Sequence, residues 1–358
     1  MTVFQPFFNR NVDLDEWTRK IISWHFSEDT GCDYWLNKIK ELGFDPIQKI
    51  KTFQDLEMFG VFNDEDLKAV PVDSLIPRGY KNNNIALRVF ETGGTLGDPK
   101  RIIDCEYRKK LAEWISFSLD KHNFPQKGNW LHLGPSGPHV VGHTTAEIAK
   151  IRGGGLCYFV DIDTRWIKVM VKENDKRGTQ QYIDHVILQA VNILNTQNIS
   201  CIMTTPKLLP ELASKVSFKN IKGIIIGGTH VTGPFYKFLK SNITKDIPLC
   251  ISYGNTLMGV APSVGYKEST GVRYYGFFPY FTLKVVNDNS WKECVDYYQK
   301  GRICITVLNK DYFIPNLLER DEAIRIPGTD EYAWDGVSDV ALYEKMKDAI
   351  IEGSTNEN

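Results

Sequence analysis

The stretch that most constrains this chain is Glu91–Arg101, read Glu-Thr-Gly-Gly-Thr-Leu-Gly-Asp-Pro-Lys-Arg. An apolar run (Ile85, Leu87, Val89, Phe90) precedes it and another (Ile102, Ile103) follows, which predicts a glycine-rich turn between two strands. Such a turn suits polyphosphate. Gly93, Gly94 and Gly97 free the backbone to take positive φ and bring several N–H groups to one anion. Thr92 and Thr95 add hydroxyl donors, and Lys100 a positive charge. The same composition also describes a polar hairpin loop that holds no ligand. A Walker loop is excluded, because its lysine directly follows the last glycine, whereas Asp98-Pro99 intervene here. A dinucleotide fingerprint is excluded by the glycine spacing and by Pro99, which opposes a helix running straight out of the loop.

With 358 residues, 42% of them hydrophobic, the chain can bury a sizeable core, and its length suggests about two or three lobes. The 43 basic and 44 acidic residues nearly cancel, so neither nucleic acid nor an anionic membrane surface is expected as the main partner. The 7 cysteines form no Cys-x-x-Cys pair, which fits buried thiols in a reducing, cytoplasmic setting. No signal-peptide pattern opens the chain, and no apolar run approaches the roughly 18 residues of a membrane span.

Ahead of the loop, Trp17, Ile21, Ile22 and Trp24, then Tyr34, Trp35, Ile39 and Leu42, recur at helical spacing up to Gly43. They predict an amphipathic cap, followed by short helices opened by Thr52 and Asn63. Behind the loop the pattern predicts a helix over 106–122, a strand over 129–134, a turn and helix ending at the glycines 153–155, and a strand over 156–160. A helix over 180–196, a strand from Cys201, a helix over 206–214 and a strand over 221–226 repeat the arrangement. Strand, helix, strand at this spacing implies crossover units and a parallel sheet.

In such a sheet ligands collect at the carboxyl ends of strands, where Gly227-Gly228-Thr229 and Ile251-Ser-Tyr-Gly-Asn-Thr-Leu fall. Bare glycines let a flat ring lie along the backbone, and Tyr253 can stack on its other face. Taken singly, each motif reads better as a strand-end turn with a core tyrosine; their order and spacing after the glycine-rich turn reverse that preference. His132, His139 and His143 have no Cys or carboxylate at zinc-site spacing, so pocket lining or packing is preferred to a metal. Asp161 and Asp163 read as solvated loop residues.

In this order the motifs resemble the adenylate-forming superfamily of acyl-CoA synthetases, peptide-synthetase adenylation domains and firefly luciferase. The loop is similar to Thr-Ser-Gly-Thr-Thr-Gly-x-Pro-Lys, with Leu96 at the second threonine. Gly43-Phe-Asp-Pro and His143-Thr-Thr-Ala-Glu147 resemble the phenylacetate-CoA ligase branch. Gly301-Arg-Ile-Cys-Ile-Thr-Val, the segment 315–326 and Trp334-Asp-Gly-Val-Ser-Asp resemble the family's Gly-Arg strand, ribose segment and hinge.

The resemblance implies an α/β core: a helical cap over 1–85, parallel-sheet subdomains with the phosphate loop over 86–250, an adenine- and ribose-binding, β-rich subdomain over 251–339, and a short tail over 340–358 in place of a lid domain. It implies attack of a carboxylate on the α-phosphorus of ATP. Thr92, Gly93, Gly94, Thr95, Gly97 and Lys100 then hold the outer phosphates, and Thr256 the α-phosphate, with Lys100 and Thr256 as the catalytic pair. Gly227, Gly228, Thr229, Tyr253, Gly254 and Asn255 surround the adenine, Asp321 takes the ribose, and Arg325 contacts phosphate or ribose. Ser136, His139, Gly142 and Gly254 line the acyl pocket. Leu257 replaces the family's magnesium-holding glutamate, so Mg2+ would rest mainly on the phosphates. The branch implies an aromatic or heteroaromatic acid passed to an amino acid, CoA or a carrier protein, as in phenazine antibiotic biosynthesis. Self-association, as a homodimer, is left open. Leu96, Leu257 and the short tail favour the alternative, a non-catalytic core that binds an aryl acid or nucleotide as a carrier or partner subunit.

Overall fold

The computed structural model describes residues 12–81, 85–93 and 97–344. The expectations placed on Gly94, Thr95 and Leu96, and on the tail beyond residue 344, lie outside the described residues.

The N-terminal cap contains α1 (Leu14–Phe26), α2 (Asp33–Leu42), α3 (Pro46–Lys49) and α4 (Asp66–Ala69). Helix α1 starts where the Asp13 carboxylate accepts from the N–H groups of Asp15 and Glu16 at 2.9 and 3.1 Å. Helix α2 stops at Gly43, whose φ of 72° suits a residue without Cβ. Ile21, Ile22 and Phe26 bury the inner face of α1. Two side chains bind that face to a distant turn: Trp17 Nε1 donates to the Leu308 carbonyl at 3.0 Å, and His25 Nε2 lies 2.7 Å from the Asn309 carbonyl.

Strands β1 (Arg88–Glu91) and β2 (Arg101–Asp104) pair antiparallel, with Glu91 opposite Arg101, so the glycine-rich turn closes a ribbon as predicted. Next come α5 (Tyr107–Lys121), β3 (Asn129–Gly134), α6 (Val140–Ile151), β4 (Cys157–Asp161), α7 (Thr164–Lys172), α8 (Lys176–Thr196), β5 (Ile199–Thr204), α9 (Leu208–Lys215), β6 (Gly223–Gly227), α10 (Gly233–Phe238) and β7 (Leu249–Asn255). Helix α7 replaces the loop expected around Asp163. The Asp163 carboxylate caps it, accepting from Arg165 N–H at 2.9 Å, while Asp161 accepts from the backbone N–H and hydroxyl of Ser136 at 2.6 and 2.7 Å.

The remaining strands are β8 (Gly259–Lys267), β9 (Gly271–Tyr275), β10 (Phe281–Asn287), β11 (Ser290–Cys294), β12 (Lys300–Leu308), β13 (Phe313–Ile326) and β14 (Gly336–Leu342). One 12-stranded sheet of the described residues runs β11-β10-β12-β13-β14-β9-β8-β7-β6-β5-β3-β4. From β4 to β7 its pairs are parallel, and from β7 outward they are antiparallel. Strands β5 and β6 are buried along their whole length, the signature of a parallel sheet covered on both faces. Because β7 crosses residue 250, no break in hydrogen bonding separates the lobes at that point.

The β12–β13 turn clamps the assembly. Asp311, 1% exposed, accepts through one oxygen from the N–H groups of Cys105, Glu106 and Tyr107 at 2.7, 2.9 and 2.8 Å, capping α5 from more than 200 residues away. Losing such a cap costs about 1–2 kcal/mol. No helix of the described residues is long and apolar enough to cross a membrane.

Candidate functional site

Four elements meet at Glu91, the last residue before the glycine-rich turn. Its N–H donates to the Pro138 carbonyl at 2.9 Å, joining the ribbon to the turn between β3 and α6. Its carbonyl accepts from Thr256 Oγ1 at 3.4 Å, just past the end of β7. Its carboxylate accepts from Arg101 Nε at 2.9 Å and Arg165 Nη1 at 3.2 Å, the latter on α7. The base of the turn is closed by Thr92, whose N–H donates to the Lys100 carbonyl while its hydroxyl oxygen accepts from Lys100 N–H, both at 3.0 Å. Gly97 has a φ of 114°, the left-handed geometry for which a glycine was expected.

Beside this junction β7 faces the middle of β13. Tyr253 donates its hydroxyl to Asp321 at 3.1 Å, and Asn255 Nδ2 donates to Glu319 at 2.7 Å. Arg302, from the Gly-Arg strand, holds the Glu319 carbonyl at 2.6 Å. Burial, and then the charges of Asp321 and Glu319, push the Tyr253 phenol far above its ordinary pKa, so it serves as a donor. Burial, reinforced by Asp321, lifts Glu319 to about 7. Tyr253, Asn255, Glu319 and Asp321 are thus brought together between β7 and β13, and Thr256 reaches the ribbon at Glu91.

Gly228 has a φ of 97°, and a Cβ built on it would meet nothing within 4 Å, leaving bare backbone open beside β6. Thr229 follows and is exposed. The other glycines are explained by packing. A Cβ on Gly227 would lie 2.1 Å from the Ser252 hydroxyl, and one on Gly254 would lie 2.0 Å from the Gly259 carbonyl, where β8 pairs. One on Gly142 would meet Ser136 Cβ at 2.8 Å, so that glycine lets α6 pack on its own leading turn.

Several expected contacts take a different form. Lys100 is only 17% exposed along its side chain and turns to Asp64, with Glu65 at 3.2 Å, because α4 docks against the ribbon. Arg325 forms an ion pair with Asp335, at 2.8 and 2.7 Å, and donates to the Val295 carbonyl at 2.6 Å, away from Asp321. Leu257 is 4% exposed and part of the core, while its N–H donates to Asn255 Oδ1 at 2.8 Å. His132 bonds Thr145 and the Pro135 carbonyl at 3.1 and 3.0 Å, and His143 packs edge-on against Phe90. His139 starts α6 beside Glu91, and burial holds its imidazole below the usual pKa. No group of three or more His, Cys, Asp or Glu side chains able to hold a metal gathers among the described residues.

Residues outside the sequence expectations complete the site. Lys168 of α7 donates to the Gly93 carbonyl, and Arg165 and Arg320 lie close enough to repel it. The signals for them were Asp163 as a cap before Trp166, Ile167 and Met170, and the charged Glu319-Arg320-Asp321 in an otherwise apolar strand.

Among known proteins, no family model and no curated sequence matches the chain. Solved structures do. The open conformation of 2-hydroxyisobutyryl-CoA ligase, in complex with 2-HIB-AMP and CoA, superposes with a TM-score of 0.61 at 13% identity, over 92% of this chain and 72% of that one. The same ligase in its thioesterification state gives 0.62 at 13% identity, over 92% and 67%. Its postadenylation state with R3-HIB-AMP gives 0.61 at 13% identity, over 91% of this chain and 65% of that one, so this chain spans just under two thirds of that structure. At such identity the likeness is one of fold: over most of its length this chain shares the fold of 2-hydroxyisobutyryl-CoA ligase.

Proposed function

We propose that this chain activates a carboxylic acid with ATP. A carboxylate oxygen attacks the α-phosphorus, the bond to the bridging oxygen breaks, and acyl-adenylate and pyrophosphate result. Such a displacement needs positioning and charge more than covalent help. The observation that supports the reading is the Tyr253–Asp321 bond of 3.1 Å between β7 and β13, three residues along the chain from Thr256, whose hydroxyl reaches the Glu91 carbonyl at the base of the glycine-rich turn at 3.4 Å. Asp321 offers carboxylate oxygens to the two ribose hydroxyls, Gly228 and Tyr253 flank the adenine, and Thr256 approaches the α-phosphate. The acid would sit beside Ser136 and His139. Glu319 and Asp321 already receive Asn255 and Tyr253, and Leu257 is buried, so the described residues do not form a magnesium cage; the ion would arrive on the phosphates. The pattern at 43–46 and 143–147 favours an aromatic or heteroaromatic acid, passed to CoA, an amine or a carrier protein in secondary metabolism.

A second reading, a core that binds nucleotide or aryl acid without catalysis, is favoured by Lys100 being held by Asp64 and Glu65. ATP–pyrophosphate exchange against a panel of aryl acids separates the two. Exchange with any acid supports activation. Saturable ATP binding without exchange supports the binding core, and absence of both sinks both. Mass spectrometry of products with CoA, amino acids or a carrier protein then identifies the acceptor.

A further inference from the structure

A cleft that the proposed nucleotide site does not use, partly open to solvent, lies between the last turns of α5, the turn after β9 and the segment 331–334 ahead of β14. Two ring stacks built from the same pair of segments wall it. Tyr275 lies on Tyr332 with centroids 4.3 Å apart and planes at 8°, and Phe278 on Trp334 at 6.2 Å and 14°. Gly276 and Ala333 fall between the stacks in sequence, and neither reaches beyond Cβ. Trp114 of α5, buried and itself stacked on Phe277 at 5.0 Å, backs the cleft. The Tyr275 hydroxyl donates to the Pro327 carbonyl at 3.0 Å, and Thr329 N–H to the Tyr332 carbonyl at 2.9 Å, so these rings are held before any ligand enters.

One charge of each sign stands at this aromatic cleft. Lys121, the last residue of α5, pairs with Glu331, and its ammonium lies 4.3 Å from the Phe117 ring centroid and 5.4 Å from that of Tyr332. Trp334 adds an unsatisfied donor, since its Nε1–H is shielded from solvent and has no acceptor. The cleft is separate from the Tyr253–Asp321 pair. Gly336 joins Tyr275 on one side to Ile326 on the other, whereas Asp321 pairs with Leu342, five residues back along β13 and roughly 15 Å away at the rise of a strand.

Stacked rings take a flat apolar group, and an ammonium with an indole N–H takes an oxyanion. The remaining charge decides the class of ligand. An aryl carboxylate drawn to Lys121 leaves Glu331 facing a like charge, and an arylamine drawn to Glu331 does the same to Lys121. A ligand that carries a ring, a carboxylate and an ammonium meets both side chains and leaves neither unpaired. We propose that this cleft is a binding site for a free aromatic amino acid, with its ring between the stacks, its carboxylate on Lys121 and Trp334 Nε1–H, and its ammonium on Glu331. The site does not depend on the adenylation reading.

Titration calorimetry on the full chain tests this with L-phenylalanine, L-tyrosine and L-tryptophan. The controls are 3-phenylpropanoate, which lacks the ammonium, phenethylamine, which lacks the carboxylate, and alanine, which lacks the ring. Saturable binding of at least one aromatic amino acid is expected, with each control weaker by about tenfold or more, the loss of one charge-assisted bond or of the ring. Glu331→Gln should weaken the amino acid about tenfold and leave 3-phenylpropanoate unweakened, while Lys121→Gln should weaken the amino acid equally and leave phenethylamine unweakened. A merely structural ion pair would not exchange specificity in that way. Trp334→Phe keeps the stack, removes the N–H and should cost about threefold to tenfold. Far-UV circular dichroism checks folding, and the comparison of ligands on the wild-type chain carries the test if a variant does not fold. The inference is overturned by no saturable binding of any of the three up to about 10 mM, by controls that bind as tightly as the amino acid, or by amino-acid binding unchanged in both glutamine variants. Exchange of ATP and pyrophosphate is scored apart: exchange without amino-acid binding defeats this site alone, and amino-acid binding without exchange or ATP binding defeats the adenylation reading alone.

Discussion

The Tyr253 hydroxyl lies 3.1 Å from Asp321, across 68 residues of sequence, and this bond joins the last parallel strand to the long strand β13 of the antiparallel region. It sets the position of the carboxylate proposed to hold the ribose. Asn255 and Glu319 repeat the arrangement one step along, at 2.7 Å.

Replacing Asp321 removes both the partner of Tyr253 and the proposed ribose acceptor. In ATP–pyrophosphate exchange, Asp321→Ala should therefore lose about 100-fold or more, since two hydroxyls lose bonds to a charged group. Tyr253→Phe removes only the bond that orients the carboxylate and should stay within about tenfold. Equal losses in the two variants would contradict the assigned roles.

Stability should depend on the protonation of Glu319, whose pKa rises from 4.5 to about 7 on folding. The folded state keeps a proton that the unfolded chain has released, so the contribution is fully present below 4.5 and is lost as pH climbs to about 7. The loss is on the order of 2 kcal/mol once partial exposure is allowed for. Glu319→Gln retains the acceptor for Asn255 and should flatten this slope in thermal melts between pH 4.5 and 7.5 (about 0.5 unit beyond the transition).

Lys100→Met leaves Asp64 and Glu65 close together without their shared cation and should destabilise the chain by about 1–2 kcal/mol in urea titrations. Adding Asp64→Asn should recover part of the loss, with a coupling of about 1 kcal/mol. Purely additive effects would show that the pair contributes nothing to the docking of α4.

Two glycines separate packing from ligand contact. Gly254→Ala would drive a methyl group to 2.0 Å from the Gly259 carbonyl and should cost about 2–4 kcal/mol by forcing β7 and β8 apart. Gly228→Ala enters open space and should cost only about 1–2 kcal/mol of left-handed strain, while lowering nucleotide affinity in calorimetry. Unchanged ATP affinity in Gly228→Ala would remove that glycine from the proposed adenine site.

Local patterning carried much of the fold. The apolar runs Ile199–Thr204 and Gly223–Gly227 are buried on both faces, and they alternate with amphipathic helices, so crossover units and a parallel sheet follow from periods of two and 3.6 residues. The ribbon around Gly93–Gly97, the cap at Asp13 and the stop at Gly43 are likewise properties of neighbouring residues. What the sequence by itself determined is therefore the order of these elements and a glycine-rich connection between β1 and β2. Only the tertiary structure decided which side chains face that turn. Lys168 and Gly93 are 75 residues apart, Lys100 and Asp64 are 36 apart, and Arg325 found Asp335 instead of the site. Such pairings depend on how α4, α7 and β13 pack, and a charge that can choose among several distant partners leaves no periodic trace of its choice.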